Sequence, residues 1–237
     1  MRAVDLNADL GEEVTDDARL LAVVTSANVA CGYHAGSPAI MREVCAQAAR
    51  LGVTVGAQVS YADRPGFGRT ELDVSYEVLR EQVADQVGTL AAIAASEGIA
   101  VRYVKPHGAL YHRTMRDDDQ ARAVLDGSVV GGAALDGAAL PVLGMPGTLL
   151  TLARAAGRPV WLEGFPDRGY DESGLLLPRS APGALVTDEA AIVANALELA
   201  ASVDSLCLHG DSPGAVAHAH AVRGGLERAG WTVHPVA

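Results

Sequence analysis

Cysteine is scarce in this chain. Only Cys31, Cys45 and Cys207 occur, far apart and inside apolar runs. That spacing excludes a disulfide framework and a cysteine-based zinc site. Aromatic residues make up 4% against 49% hydrophobic residues overall, so the core is expected to be built from Ala, Val and Leu. Such a core suits parallel strands covered by Ala-rich helices. Basic residues number 18 against 29 acidic ones, a net charge of −11. A chain of that sign is a poor nucleic-acid or anionic-membrane binder, although a local basic pocket still suits a small anion. No run reaches the ~20 uninterrupted apolar residues of a membrane helix. The N-terminus has no apolar stretch of the signal-peptide kind, so a reducing cytoplasm is the expected home. No phosphate-binding P-loop is present either: Met145-Pro146-Gly147-Thr148 lacks the Lys-Ser/Thr ending.

What is present is a repeated alternation of strand-like and helix-like segments over 237 residues, read here as one domain spanning 1–237. Strands are expected over 3–6, 23–29, 53–59, 101–105, 140–145, 159–163 and 205–208, with a final strand over 232–236 closing the structure. Helices are expected over 38–51, 75–98, 117–125, 148–156, 187–201 and from Ser212-Pro213 to Gly230, with a small hairpin arm over 175–179. Ser37 with Pro38, and Thr187, read as helix starts. No structure is assigned to the Gly/Ala-rich stretch 127–137. Alternation of this kind implies a parallel α/β fold with right-handed crossovers.

Polar residues crowd after nearly every strand. Asp5, Asn7 and Asp9 recur at period two, so they share one side and can hold a metal, a water or an ammonium group; an Asp/Asn-rich turn is the plainer reading. Asn28 and His34 follow the second strand, with His34 just before a helix N-terminus, where a neutral imidazole serves as ligand or base. Gln58 and Ser60 follow the third. The loop 62–70 carries Arg64 and Arg69, each suited to a carboxylate or phosphate, or simply solvated. Lys105 and His107 share a side at the end of the fourth strand, which Pro106 terminates. Glu163, Asp167 and Arg168 follow the sixth, and His209 and Asp211 the seventh. His112, His218, His220 and His234 read as ordinary. A barrel brings all such strand ends to one rim, whereas an open sheet scatters them, so convergence favours a barrel.

The motifs Asp5-Leu6-Asn7-Ala8-Asp9-Leu10-Gly11-Glu12, Ser26-Ala27-Asn28-Val29-Ala30-Cys31-Gly32-Tyr33-His34-Ala35-Gly36, Val104-Lys105-Pro106-His107-Gly108-Ala109-Leu110-Tyr111 and Leu208-His209-Gly210-Asp211 together resemble the LamB/YcsF family. Phe67-Gly68-Arg69, Phe165-Pro166-Asp167-Arg168-Gly169-Tyr170 and Leu177-Pro178-Arg179-Ser180 fit the same resemblance. It implies a distorted (β/α)7 TIM-like barrel, similar to the polysaccharide-deacetylase and glycoside-hydrolase group. It also implies ATP-dependent opening of 5-oxoproline to glutamate, with ATP as cosubstrate, in a complex with 5-oxoprolinase subunits B and C; self-association stays open. This chain departs from the pattern at Gln58-Val59, where many members have His-Pro, and an amide is a poorer metal ligand.

Lactam opening needs a water activator, an oxyanion or phosphate stabiliser, a proton donor for nitrogen and a carboxylate clamp. The expected catalytic residues are Asp5, Asp9, His34, Lys105 and His107, with Asp5 or Asp9 as base and Lys105 on the developing anion. The expected substrate-binding residues are Asn7, Asn28, Gln58, Arg69, Glu163, Arg168, His209 and Asp211, with Asp211 orienting His209. A divalent metal, if one is held, is expected on Asp9 and His34. Two other readings share these residues: a metal-dependent amide or N-acetyl hydrolase that needs no ATP, and a non-catalytic substrate-binding subunit.

Overall fold

The computed structural model describes residues 2–129, 139–210 and 214–236. Seven parallel strands close on themselves. β1 (Arg2–Leu10), β2 (Ser26–Ala30), β3 (Thr54–Val59), β4 (Val101–Pro106), β5 (Val142–Gly144), β6 (Val160–Gly164) and β7 (Ser205–Leu208) follow one another around the ring. β7 pairs with one edge of β1, and β2 with the other, so the ring has no free edge. The expected final strand does not close it. β8 (Trp231–Val233) instead pairs with Arg2–Val4, below the ring, because β1 is long enough to serve both.

Outside the ring run α1 (Asp17–Leu21), α2 (Pro38–Leu51), α3 (Tyr76–Ser96), α4 (Gly108–Thr114), α5 (Asp118–Gly127), α6 (Thr148–Ala155), α7 (Glu189–Leu199) and α8 (Ala215–Arg228). The short α1 is not among the helices expected from sequence. Asp16 caps it by accepting from the Arg19 amide, and the amides of Val23 and Val24 close back onto the Leu20 carbonyl. That closure consumes residues 23–25, so β2 begins at Ser26 rather than Val23. α2 keeps its expected limits: the Ser37 side chain accepts from the Ile40 amide, Pro38 opens the first turn, and Gly52 ends it at φ 70°. At α7 the cap is Asp188, one residue past the expected Thr187, and it accepts from the Ala191 amide. The Ser212-Pro213 start and Asp211 lie outside the described residues; the final helix begins after Gly214. The arm after β6 does fold back, with antiparallel bridges between Tyr170 and Leu176 and between Arg168 and Leu185. Among the described residues, no helix is long and apolar enough to cross a membrane.

Period-two alternation splits each strand into two faces. On β1, Leu6, Ala8 and Leu10 belong to the buried apolar layer under the helices. Asp5, Asn7 and Asp9 are equally buried but bond to side chains from β2, β4, β6 and β7, which places them inside the ring. The barrel interior is therefore polar, and two strands approach closely at one position within it. Gly56 on β3 faces the Tyr103 ring on β4, and a methyl group there would fall inside that ring. Tyr103, fully buried, spans the interior and donates to Asn28 Oδ1 at 2.6 Å. Gly56→Ala should overpack this contact and destabilise the protein by about 1–3 kcal/mol, read as a lowered urea midpoint with unchanged slope.

Candidate functional site

The interior polar side chains form a ladder of layers that rises with β1. At the floor, Asp5 accepts from Thr25 Oγ1 at 2.6 Å, from Ser26 Oγ at 2.7 Å, and from Ser205 Oγ. One layer up, Asn7 donates to Ser205 Oγ at 2.6 Å and Glu163 Oε1 at 3.2 Å, and accepts from Asn28 Nδ2 at 2.7 Å. Above that, Asp9 Oδ1 accepts from Asn28 Nδ2 at 2.9 Å and Lys105 Nζ at 3.1 Å. Lys105 Nζ also lies 2.7 Å from Glu163 Oε1 and 3.1 Å from Cys207 Sγ. Tyr111 Oη donates to the other Glu163 oxygen at 3.1 Å.

Charge in this ladder is set by burial and by one ammonium. Burial would push Asp9 up, but the Lys105 ammonium more than reverses this and holds Asp9 well below the usual carboxylate range. Burial would lower Lys105, but Asp9, with Cys207 and Glu163, holds it well above its ordinary value. The pair is ionised. Burial pushes Asp5, Glu12 and Glu163 up, toward the neutral acid.

A cavity of about 250 Å³ opens over the top of the ladder. Asp9, Lys105, His107 and His209 come to it from three strand ends; Arg69 comes from the β3–α3 loop, and Arg168 and Arg179 from the arm after β6. Phe165 underlies it, stacked on His209 with centroids 5.3 Å apart and with Lys105 Nζ 5.4 Å from its ring centre. Arg69 stacks over Phe67 at 4.9 Å. Arg168 is buried and donates to the carbonyls of Ala184 at 3.0 Å and Leu177 at 2.6 Å, so it also ties the arm to the rim.

His209 is held by Asp167. The carboxylate accepts from the His209 backbone amide at 2.9 Å and meets the ring Nδ1 at 3.0 Å. Burial pushes Asp167 up, and the His209 imidazole and the hydrogen bonds to it bring it back below its ordinary value. With Nδ1–H on the carboxylate, Nε2 is left as the acceptor nitrogen. The orienting partner expected for His209 was Asp211, which lies outside the described residues; Asp167, from the loop after β6, makes the contact.

Behind His107 lies a second cluster. Glu12, His34 and His107 offer ligand atoms within 4.8 Å of one another, and all are buried. Asp9 is not part of this set, and Glu12 takes the place expected for it. Two imidazoles and a carboxylate are donors of the kind that hold zinc. Their directions are another matter. The His34 and His107 rings are stacked with centroids 4.0 Å apart and planes 13° from parallel. Lone pairs in nearly parallel planes do not converge on one ion. Phe67, at φ 56°, lays its ring edge-on to both imidazoles, and Gly68 packs against them.

The expected residues among the described ones thus fall into four groups. Asp9, Lys105, His107, Arg69, Arg168 and His209 line the cavity. Asn7, Asn28 and Glu163, expected to touch substrate, instead lie beneath it and hold Asp9 and Lys105 in place. Asp5, expected as a base, lies at the floor with its oxygens occupied by hydroxyls. His34 and Gln58 stand behind His107. Three further residues were not expected at the site: Glu12, Asp167 as partner to His209, and Arg179. Glu12 follows the Asp-Asn-Asp run past Gly11, whose φ of 74° breaks the period-two pattern that would have counted it.

Comparison with known proteins places this geometry. The LamB/YcsF family profile matches residues 4–237. The 5-oxoprolinase A subunit of Streptomyces avermitilis is 53% identical over 250 residues, covering 97% of this chain and 98% of that protein. The 5-oxoprolinase A subunit of Mycobacterium avium is 46% identical over 250 residues, covering 97% of each. Among solved structures, the lactam utilization protein from Thermus thermophilus superposes with a TM-score of 0.88 at 39% identity, covering 98% of this chain and 99% of that one. A peptidoglycan deacetylase from Bacillus subtilis superposes at 0.54 with 13% identity, covering 99% and 88%, a likeness of fold alone. With the matching profile running almost the whole length and relatives this similar, the chain belongs to the LamB/YcsF family.

Proposed function

We propose that this chain is the component of a 5-oxoprolinase that hydrolyses the lactam, acting with partner subunits B and C and with ATP as cosubstrate. The observation that carries the reading is the sign of the cavity. In a chain of net charge −11, it is lined by Arg69, Lys105, Arg168 and Arg179, with Asp9 the one carboxylate among the described residues that line it. Its volume suits a small anionic ring rather than a polysaccharide. The names of the relatives supply the ring.

The chemistry follows from the groups at the rim. Transfer of the γ-phosphoryl group from ATP to the amide oxygen gives an imidate phosphate and ADP, a step carried out by the assembled complex. Water then adds to the ring carbon. His209, oriented by Asp167, takes one proton of that water on Nε2 and passes it to the ring nitrogen, and the proton of the added hydroxyl follows by the same route as the carbon–nitrogen bond breaks. The acyl phosphate so formed is hydrolysed by a second water to glutamate and phosphate. Lys105 faces the negative oxygens, and Arg69 and Arg179 hold the substrate carboxylate. Asp9, kept strongly acidic by Lys105, is a weak proton acceptor, so its part is to fix the ammonium rather than to act as the base. A metal-dependent amide hydrolase is the second reading, favoured by the Glu12, His34 and His107 donor set; it requires turnover by the isolated chain on added zinc without ATP.

The complete mixture of chain, subunits B and C, ATP and 5-oxoproline should release glutamate and ADP, and omission of the chain should stop glutamate formation. Glutamate release at the same rate without the chain would sink the proposal. Asp167→Asn should lower kcat on the order of 10²–10⁴-fold with little change in KM, because it spoils the His209 tautomer and leaves the binding arginines alone. Equal kcat in this variant would remove the dyad from the mechanism.

The ion pair makes a separate prediction about stability. Asp9 has a folded pKa below its unfolded value, so its stabilisation is present above the ordinary carboxylate range near ~4 and is lost as pH falls through the folded value. Asp9→Asn should cost about 3 kcal/mol at neutral pH, at the low end for a broken buried pair because Glu163 still faces Lys105. The gap from wild type should narrow as pH is lowered from 6 toward 3. Urea midpoints at both pH values read this, and a gap that widens on acidification would contradict it.

A further inference from the structure

Within the cluster of Glu12, His34 and His107, the side-chain amide of Gln58 stands against two of the three. Gln58 Nε2 lies 2.9 Å from Glu12 Oε1 and 2.9 Å from His107 Nδ1. We infer that Gln58 is a positioning residue that stands in for a metal in this centre: its amide bridges Glu12 to His107 and locks His107 as the Nε2–H tautomer, so that the cluster takes no ion.

Three contacts fix the assignment. His107 Nε2 faces the Phe67 carbonyl at 3.2 Å, which accepts a hydrogen on Nε2 without alone holding it there. Nδ1 then presents a lone pair, and the neighbour at 2.9 Å must donate to it. The other hydrogen of the same amide points to Glu12 Oε1. Turning the amide over would set its oxygen against the Nδ1 lone pair, so an Nε2–H ring demands this orientation of the amide.

The pocket around the rings resists the change that an ion would need. The stacked imidazoles have lone pairs in planes 13° apart, so one ring has to turn before both can ligate. A methyl group at Gly68 would sit 2.9 Å from His34 Cβ and 3.1 Å from His107 Cδ2, so the loop backbone is already pressed on both residues. A turning ring would have to lift that loop. Gln58 and His34 supply the opposing observations. Gln58 Oε1 and both His34 ring nitrogens are buried without a hydrogen bond among the described residues, and His34 Nε2 lies 3.4 Å from Glu12 Oε1.

With Nδ1 on Gln58 and Nε2 on Phe67, His107 has no nitrogen to offer a substrate. It forms a neutral wall of the cavity, and the proton-carrying imidazole is left to His209. The resting centre has this form whether or not the cavity takes 5-oxoproline.

The test uses the full chain, treated with chelator and labelled with ¹⁵N-histidine. Long-range ¹H–¹⁵N correlation should show His107, assigned by its loss in His107→Ala, as a pure Nε2–H ring. Added Co²⁺ should produce no visible ligand-field bands at one equivalent. In Gln58→Ala, the His107 pattern should shift toward Nδ1–H, which then faces Glu12 Oε1 across 3.3 Å. One bound Co²⁺ in wild type with bands abolished by Glu12→Gln, an Nδ1–H ring in wild type, or an unchanged tautomer in Gln58→Ala would each overturn the inference. Both wild-type measurements decide it even if the variants fail to fold.

Discussion

Lys105 carries its ammonium into the ring at the level where Asp9 and Glu163 lie 3.1 Å and 2.7 Å away, and it is only 2% exposed. A cation in such a place is tolerable only if its partners are held without slack. Most of the interior serves that end. Asn28 is bonded to both Asp9 and Asn7 and is itself held by Tyr103; Asn7 and Tyr111 hold Glu163. These residues come from several different strands or their following turns, so the ladder also pins the register of the ring. A slip of one residue in any strand would turn an apolar side chain inward and leave a polar one facing the helices.

The same arrangement explains how an acidic chain presents a cationic cavity. Burial drives Asp5, Glu12 and Glu163 toward the neutral acid, and the ammonium keeps Asp9 ionised. The deep acids Asp5 and Glu163 lie below the mouth with donors on their oxygens, and the arginines of the two surrounding loops line the mouth itself. A simple count of acidic and basic residues points the other way because it ignores where each charge sits.

Strand order and the convergence of strand ends were legible in the sequence, because period-two runs such as Asp5-Leu6-Asn7-Ala8-Asp9 declare their two faces and Pro106 marks where β4 stops. The limits of β2 and the existence of α1 were not, since Leu20 to Val24 are apolar in a run that fits a strand or a closing helical turn equally. Position along the barrel axis was the larger loss. Asp5 and Asp9 read alike in sequence, yet one lies beneath two layers of side chains and the other lines the cavity. Partnerships across the ring were lost for the same reason. The Asp167–His209 contact joins residues 42 positions apart, and nothing local to either announces it.

Two histidines at equivalent strand ends thus come to different chemistry through their neighbours. His107 is met on Nδ1 by an amide that donates and on Nε2 by a carbonyl that accepts, so both nitrogens are spent on the protein. His209 is met on Nδ1 by a carboxylate that accepts, which leaves the opposite tautomer and an acceptor nitrogen at the cavity. An amide that donates takes up an imidazole's lone pair, and a carboxylate in the same place leaves the ring an acceptor nitrogen. The division of labour at this rim therefore rests on Gln58 and Asp167 as much as on the histidines they hold.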